Sequence, residues 1–262
     1  GGLTTGVYGL SSVLVPPVAN VMIRNWGVSA AFQIIAVCFA VVLLLASAFV
    51  EQGPEEAGQM LPGGGRDMSW REMLCQKKFY GMCAMLLCGG LSGMMVISSA
   101  SDMAQVEAGF SPAAAALMVS VLSLFNAGGR ASAGILSDKL GRIGTLSLVF
   151  PISVAALCAL FSFGQDSMAV FAVSIALVGA CFGALMGIFP GFTADEFGQR
   201  NNTVNYGILF FGFALSGMLG PQVASWVMSG TGSYRSAFLI AAVVALAGFA
   251  LTFLHRRLAA RS

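Results

Sequence analysis

Charge is what this sequence has least of: 9% of its 262 residues are charged, against 57% hydrophobic, and the mean hydropathy is +0.86. A soluble domain usually carries about 25% charged residues, so a water-soluble globule is excluded and a membrane composition remains. The net charge of +2, with no long basic run, gives no basis for a nucleic-acid partner. Histidine is nearly missing, with His255 the only one. Cys38, Cys75, Cys83, Cys88, Cys158 and Cys181 are scattered, mostly in apolar runs, and form no Cys-x-x-Cys pair. That argues against a zinc site or a disulfide framework. No Ser-His-Asp set or phosphate-cradling loop is visible, so neither enzyme chemistry nor a cofactor is expected. The chain opens at Gly1 without a methionine or a basic n-region, so no signal peptide is read and a fragment is the expectation.

Apolar sequence is abundant, in lengths that suit a bilayer. About 20 mostly apolar residues are needed to cross. Eight segments qualify: 3–22, 28–50, 79–100, 113–136, 143–163, 167–191, 203–228 and 235–254. An all-α polytopic membrane protein follows. Residues 51–78, with Pro54, Pro62 and Gly63-Gly-Gly65, have the composition of a linker. Its end, Ser69-Trp-Arg-Glu-Met73, reads as a short interfacial helix capped by the serine, with Trp70 at headgroup level.

Basic residues set the orientation. Arg66, Arg71, Lys77, Lys78, Lys139, Arg142, Arg200, Arg256, Arg257 and Arg261 fall on the side of the linker, and only Arg24 and Arg235 on the other. By the positive-inside rule the linker and the C-terminus are cytoplasmic. The chain also repeats. Ser12-Val-Leu-Val-Pro-Pro17 aligns with Ser216-Gly-Met-Leu-Gly-Pro221, and Ala31-Phe32-x-Ile34-x-Ala36-Val37 with Ala237-Phe238-x-Ile240-x-Ala242-Val243. Spans one and two therefore correspond to seven and eight, which implies a six-helix unit used twice in parallel with four helices missing before Gly1. Gly179, Gly183 and Gly187, and likewise Gly212, Ser216 and Gly220, recur every four residues and read as close-packing faces. Pro16, Pro17, Pro151, Pro190 and Pro221 lie within spans, where each favours a kink.

No acidic residue falls deep in a span: Asp102, Glu107 and Asp166 lie on the outer side, and Asp138, Asp195 and Glu196 in cytoplasmic turns. Arg130 stands out against this census. It lies roughly 9 Å, at 1.5 Å per residue, above the cytoplasmic end of its span. A cation there costs a few kcal/mol unless it faces a cavity or a partner. Ser123 and Asn126 share its helical face. An anionic ligand is then its natural counter-ion, since a guanidinium holds a carboxylate bidentately. The other reading open from spacing is an arginine that snorkels to the interface. Gly134-x-x-x-Asp138-Lys139-x-Gly141-Arg142 makes a compact charged turn. Asp138 ends one helix and Lys139 and Arg142 begin the next, giving either a breakable clamp between two halves or a solvated tight turn.

That turn resembles the cytoplasmic signature loop of the major facilitator superfamily. Gly6-Val-Tyr8-Gly9-x-Ser11-Ser12, Asp67-Met-Ser-Trp-Arg-Glu72, Gly93-Met-Met-Val-Ile97, Asn126-x-x-Gly129-Arg130, Phe189-Pro190-x-x-Thr193-x-Asp195-x-Phe197-Gly198 and Asn205-Tyr206-Gly207 are similar to the oxalate/formate antiporter family. The resemblance implies an incomplete major facilitator fold. Residues 1–50 would be the last two helices of the N-terminal half, 51–78 the central linker, and 79–262 the C-terminal six-helix half. It also implies a dicarboxylate site with one cation on helix 8, matched by Arg130, and one on helix 11, where this chain has Phe213. That departure favours a monocarboxylate over oxalate. Phe210 and Phe182 match cage positions, and Tyr8 and Tyr206 could add hydroxyls. The expected function is exchange of small carboxylates by alternating access, with a proton-coupled monocarboxylate symporter as the alternative and a polytopic membrane protein without transport as the remote one. A multi-pass protein of the plasma or inner membrane is expected, working as a monomer when full length and contacting only substrate and lipid.

Overall fold

The computed structural model describes residues 2–48 and 67–259, with side chains left out at 2–14, Pro16, Pro17, Asn20, Leu258 and Ala259. It forms two compact units, Ser11–Gly64 and Gly65–Ser262 with Gly1–Leu10. Among the described residues every regular element is a helix. Helix α1 (Gly2–Ser47) runs through both expected spans 3–22 and 28–50. Gly27 breaks its helical path at φ +80°, ψ 166°, where the sequence puts the boundary. A residue without a Cβ adopts that backbone most readily. The two spans are thus joined through one glycine rather than by a loop. Residues 49–66, which hold most of the expected linker, lie outside the described residues.

The second unit begins with α2 (Trp70–Leu74), the expected interfacial helix. Ser69 caps it, and the Glu72 carboxylate accepts the Ser69 backbone N–H at 2.8 Å, closing a capping box. Next come α3 (Lys77–Ile97) and α4 (Ala100–Ala108). The sequence showed no helix α4, because its polar residues hide it from hydropathy. Then follow α5 (Pro112–Leu140), α6 (Arg142–Phe163), α7 (Met168–Phe197), α8 (Asn202–Leu209), α9 (Phe211–Thr231) and α10 (Arg235–Ala259). Helices α5 and α7 outrun their expected ends at 136 and 191, since polar residues close both. Lys139 therefore ends α5 rather than starting α6, and Asp195 and Glu196 ride in the last turns of α7, not in a loop. Among the described residues seven helices are long and apolar enough to cross a membrane, starting with Val21–Ser47, against eight expected.

Packing in this unit uses the small-residue faces. A Cβ on Gly183 or Gly187 would collide with the backbone carbonyl of Asn126 or Arg130, so α7 lies directly on α5. On α9, Gly212 abuts Cys83 and Gly220 abuts Met94, while Ser216 lies buried between them against α3. Lipid is as apolar as leucine, so helices gain by close contact rather than by burial. One apolar core surrounds Phe171, Leu157 and Phe238 at the α4 end, and a second surrounds Phe150, Phe189 and Phe197 at the α2 end.

Glu107, placed by the sequence on the outer side, is 6% exposed inside this unit. Its carboxylate accepts hydrogen bonds from the Tyr234 backbone N–H, from Ser233 Oγ at 2.9 Å and from Gln165 Nε2. It thereby ties α4 to the α6–α7 and α9–α10 turns.

Gly183→Val is expected to destabilise the protein by about 1–3 kcal/mol, the usual cost of overpacking. Gly217→Ala, with open space at its Cβ, is expected to leave the melting temperature in detergent unchanged.

Candidate functional site

Arg130 Nε donates to Asn126 Oδ1 at 3.0 Å, one helical turn back on α5. Ser123, a further turn along, is buried. The polar stripe read from the sequence is therefore a bonded pair with a hydroxyl beside it. The glycine face of α7 holds this stretch, because Gly183 meets the Asn126 carbonyl. The residue before Gly183, Phe182, is buried and starts a chain of rings. Its centroid lies 5.8 Å from Phe213, which lies 4.6 Å from Phe210, which lies 5.4 Å from Tyr206. Tyr206 lies within electrostatic range of Arg130.

Six candidates from three separate stretches of sequence thus lie in one unit: Asn126, Arg130, Phe182, Tyr206, Phe210 and Phe213. The side chain of Tyr8 lies outside the described residues. Phe210 also marks the junction of α8 and α9, so the expected span 203–228 is divided at a site candidate. Phe182 further lines a cavity of about 10 Å³ with Ser92 and Ser153, room for about one water. Chemically, the set offers a planar cation with an amide on one side and aromatic faces that exclude water. Excluding water strengthens any charge contact made there.

In the charged turn Asp138 pairs locally, with Arg142, and Asp195 of α7 is a partner the sequence did not indicate. Arg142 opens α6; its Nη1 donates to Asp138 Oδ1 at 2.7 Å and its Nε to Asp195 Oδ2 at 2.8 Å, with Ser137 Oγ as a third acceptor. Gly141 turns the chain at φ +77°, and the Gly134 carbonyl accepts from Ser137 Oγ at 2.8 Å. Lys139 is exposed. Both carboxylates belong to α5 and α7 of this unit, so these bonds are internal to it rather than between halves. Asp195 stood in a quoted motif, but its assignment to a turn hid its role as partner.

Two further junctions were missed. The Met68 carbonyl accepts from Asn201 Nδ2 and Asn205 Nδ2, each at 3.1 Å, and the Met68 N–H donates to the Phe197 carbonyl at 2.9 Å. Asp67 Oδ1 accepts the Arg200 backbone N–H at 3.2 Å. The stretches Asp67-Met-Ser and Asn205-Tyr-Gly, far apart in sequence, are thus joined. The second junction is Glu196 with Lys78 and His255.

Residues 2–221 match the family model of the Major Facilitator Superfamily. The chain is 28% identical over 211 residues to YhjX, an uncharacterized MFS-type transporter of Escherichia coli K12, covering 80% of this chain and 52% of that protein. It is 26% identical over 260 residues to the oxalate:formate antiporter of Oxalobacter formigenes, covering 98% and 62%. Similarity to monocarboxylate transporter 12 of Xenopus laevis is 27% over 150 residues, covering 56% and 31%. The fold matches the Major Facilitator Superfamily transporter FucP, solved in the outward conformation, with a TM-score of 0.65 at 16% identity, over 87% of this chain and 55% of that one. The chain thus spans between half and two thirds of the length of the first two relatives.

A double-mutant cycle with Arg142→Gln and Asp195→Asn is expected to show a coupling of about 1 kcal/mol in thermal stability, since the Asp195 side chain is largely exposed. Additive single effects would remove the clamp.

Proposed function

The chain belongs to the Major Facilitator Superfamily, and from that premise we propose that it is part of a secondary carrier for small carboxylates, exchanging one anion for another by alternating access. In this reading residues 1–50 supply the last two helices of an N-terminal half, 51–78 the cytoplasmic linker and 79–262 the C-terminal half. The whole works as a monomer in a plasma or inner membrane with its C-terminus in the cytoplasm. The lysines and arginines gathered on one side of the spans support that orientation.

The observation that carries the proposal is the Arg130–Asn126 pair on the stretch of α5 that packs against α7 beside Phe182, where the Phe182–Phe213–Phe210–Tyr206 ring chain begins. Arg130 holds the carboxylate, Asn126 orients the guanidinium, and the rings exclude water. Tyr8 and the Tyr206 hydroxyl complete the set. Phe213 stands where the resemblance puts a lysine, so one cation, not two, faces the substrate from these residues. One carboxylate balances one cation, which favours formate-, lactate- or pyruvate-like anions over oxalate. The turn Gly134–Arg142 serves the conformational change by holding α5, α6 and α7 together while the halves rock.

A second reading has its own support in the likeness to monocarboxylate transporter 12: a proton-coupled symporter of the same anions. An inward proton gradient would then drive uptake without any counter-anion, whereas an exchanger needs an anion on the far side.

In proteoliposomes holding the full-length protein, Arg130→Gln is expected to weaken carboxylate uptake by about ten- to a hundredfold, the worth of one charged hydrogen-bonded contact. Undiminished transport of every anion would remove the site. Phe213→Lys is expected to raise oxalate uptake relative to formate; an unchanged ratio would break the link between that position and charge selection.

A further inference from the structure

The mechanism above leaves the lone histidine unused, yet its surroundings are specific. His255, in the penultimate turn of α10, is 1% exposed. Its Nε2 lies 3.4 Å from Glu196 Oε1, and its Nδ1 is buried without a hydrogen-bond partner. The edge of the ring meets Phe192 at 5.2 Å, and Gly81 of α3 closes the Nδ1 side. The other oxygen of Glu196 pairs with Lys78 Nζ at 3.2 Å. One carboxylate at the end of α7 is therefore divided between a permanent cation on α3 and a conditional one on α10.

The remaining charges nearby are accounted for. From α3 Gly81 lies against the ring, while Lys78, next to Lys77 at the helix start, pairs with Glu196. From α7 it faces Glu196, whose neighbour Asp195 is engaged by Arg142 of α6. On α10 itself Arg256 is turned toward Ser147 of α6, donating to its hydroxyl at 3.2 Å.

We propose that His255 and Glu196 form a proton-binding switch that decides whether α7 is tied to α3 or to α10. With a neutral imidazole, Glu196 balances Lys78, and the ring adds only a long neutral hydrogen bond. A proton on the ring makes that bond charge-assisted, hence shorter and stronger. The C-terminal end of α10 favours the added positive charge. Two cations then share one carboxylate, and the hold of Lys78 on it weakens. A pH change that adds or removes the ring proton therefore exchanges the ties, and turnover of the carrier responds to it.

The test uses full-length protein in nanodiscs, labelled with 15N-histidine, and follows imidazole protonation against pH. In Glu196→Gln the responding ring is expected to titrate at lower pH than in the native protein, and in Lys78→Met at higher pH. Merely structural packing would move neither. This titration needs no substrate, so its failure is separable from a failure of the carboxylate assignment. In proteoliposomes, uptake is expected to show a step with pH, and His255→Gln to remove it. If His255→Gln does not insert, the two partner substitutions still read the native ring. A midpoint that neither partner substitution moves, uptake without a step, or a step that survives His255→Gln overturns the switch.

Discussion

The direct contact of α7 with α5 is the constraint on which the rest of this unit depends. Three glycines on α7 take the backbone of α5 where side chains would otherwise stand, from Leu122 through Asn126 to Arg130. Helices in lipid gain little from burying apolar surface, so such contact comes from shape. The stretch of α5 that touches α7 backbone to backbone is also the stretch that carries Ser123, Asn126 and Arg130. The polar stripe is thus rigid because the face beside it is packed. Phe182, next to the central glycine, is fixed by the same contact, and through it the chain of rings on α8 and α9 is aligned.

How much of this was legible in the sequence depended on what held each feature together. Helices were visible because hydropathy is a property of single segments. The site residues on α5 were visible because one helix face can be read from spacing. Tyr206, Phe210, Phe213 and Phe182 came from family resemblance, since nothing in the spacing of α7 against α9 says that their rings touch. The polar helix α4 was invisible to hydropathy, and so was the buried role of Glu107. Asp195 and Glu196 were misplaced for one reason: charged residues closing a long helix look like a loop. Their partners, Arg142, Lys78 and His255, lie on three other helices, and pairings between helices leave no local pattern.

The charges of this unit sit at its two ends. At one end Glu107 gathers neutral donors from two turns; at the other, Arg142 gathers two carboxylates while Glu196 faces two bases. Between them, among the described residues, lie the apolar cores and Arg130. Polar bonds thus fix the helix ends, where water is near, and leave the middle to close packing.

The attachment of Met68 has a mechanical side. Its carbonyl is held by two asparagine amides and its N–H by Phe197, while Asp67 takes the Arg200 N–H. A pull arriving along the chain ahead of Asp67 is therefore delivered first to the end of α7 and the start of α8, not to the start of α3. The backbone ahead of α2 is therefore anchored to the helix that carries Phe182 and to the one that carries Tyr206 before it reaches α3.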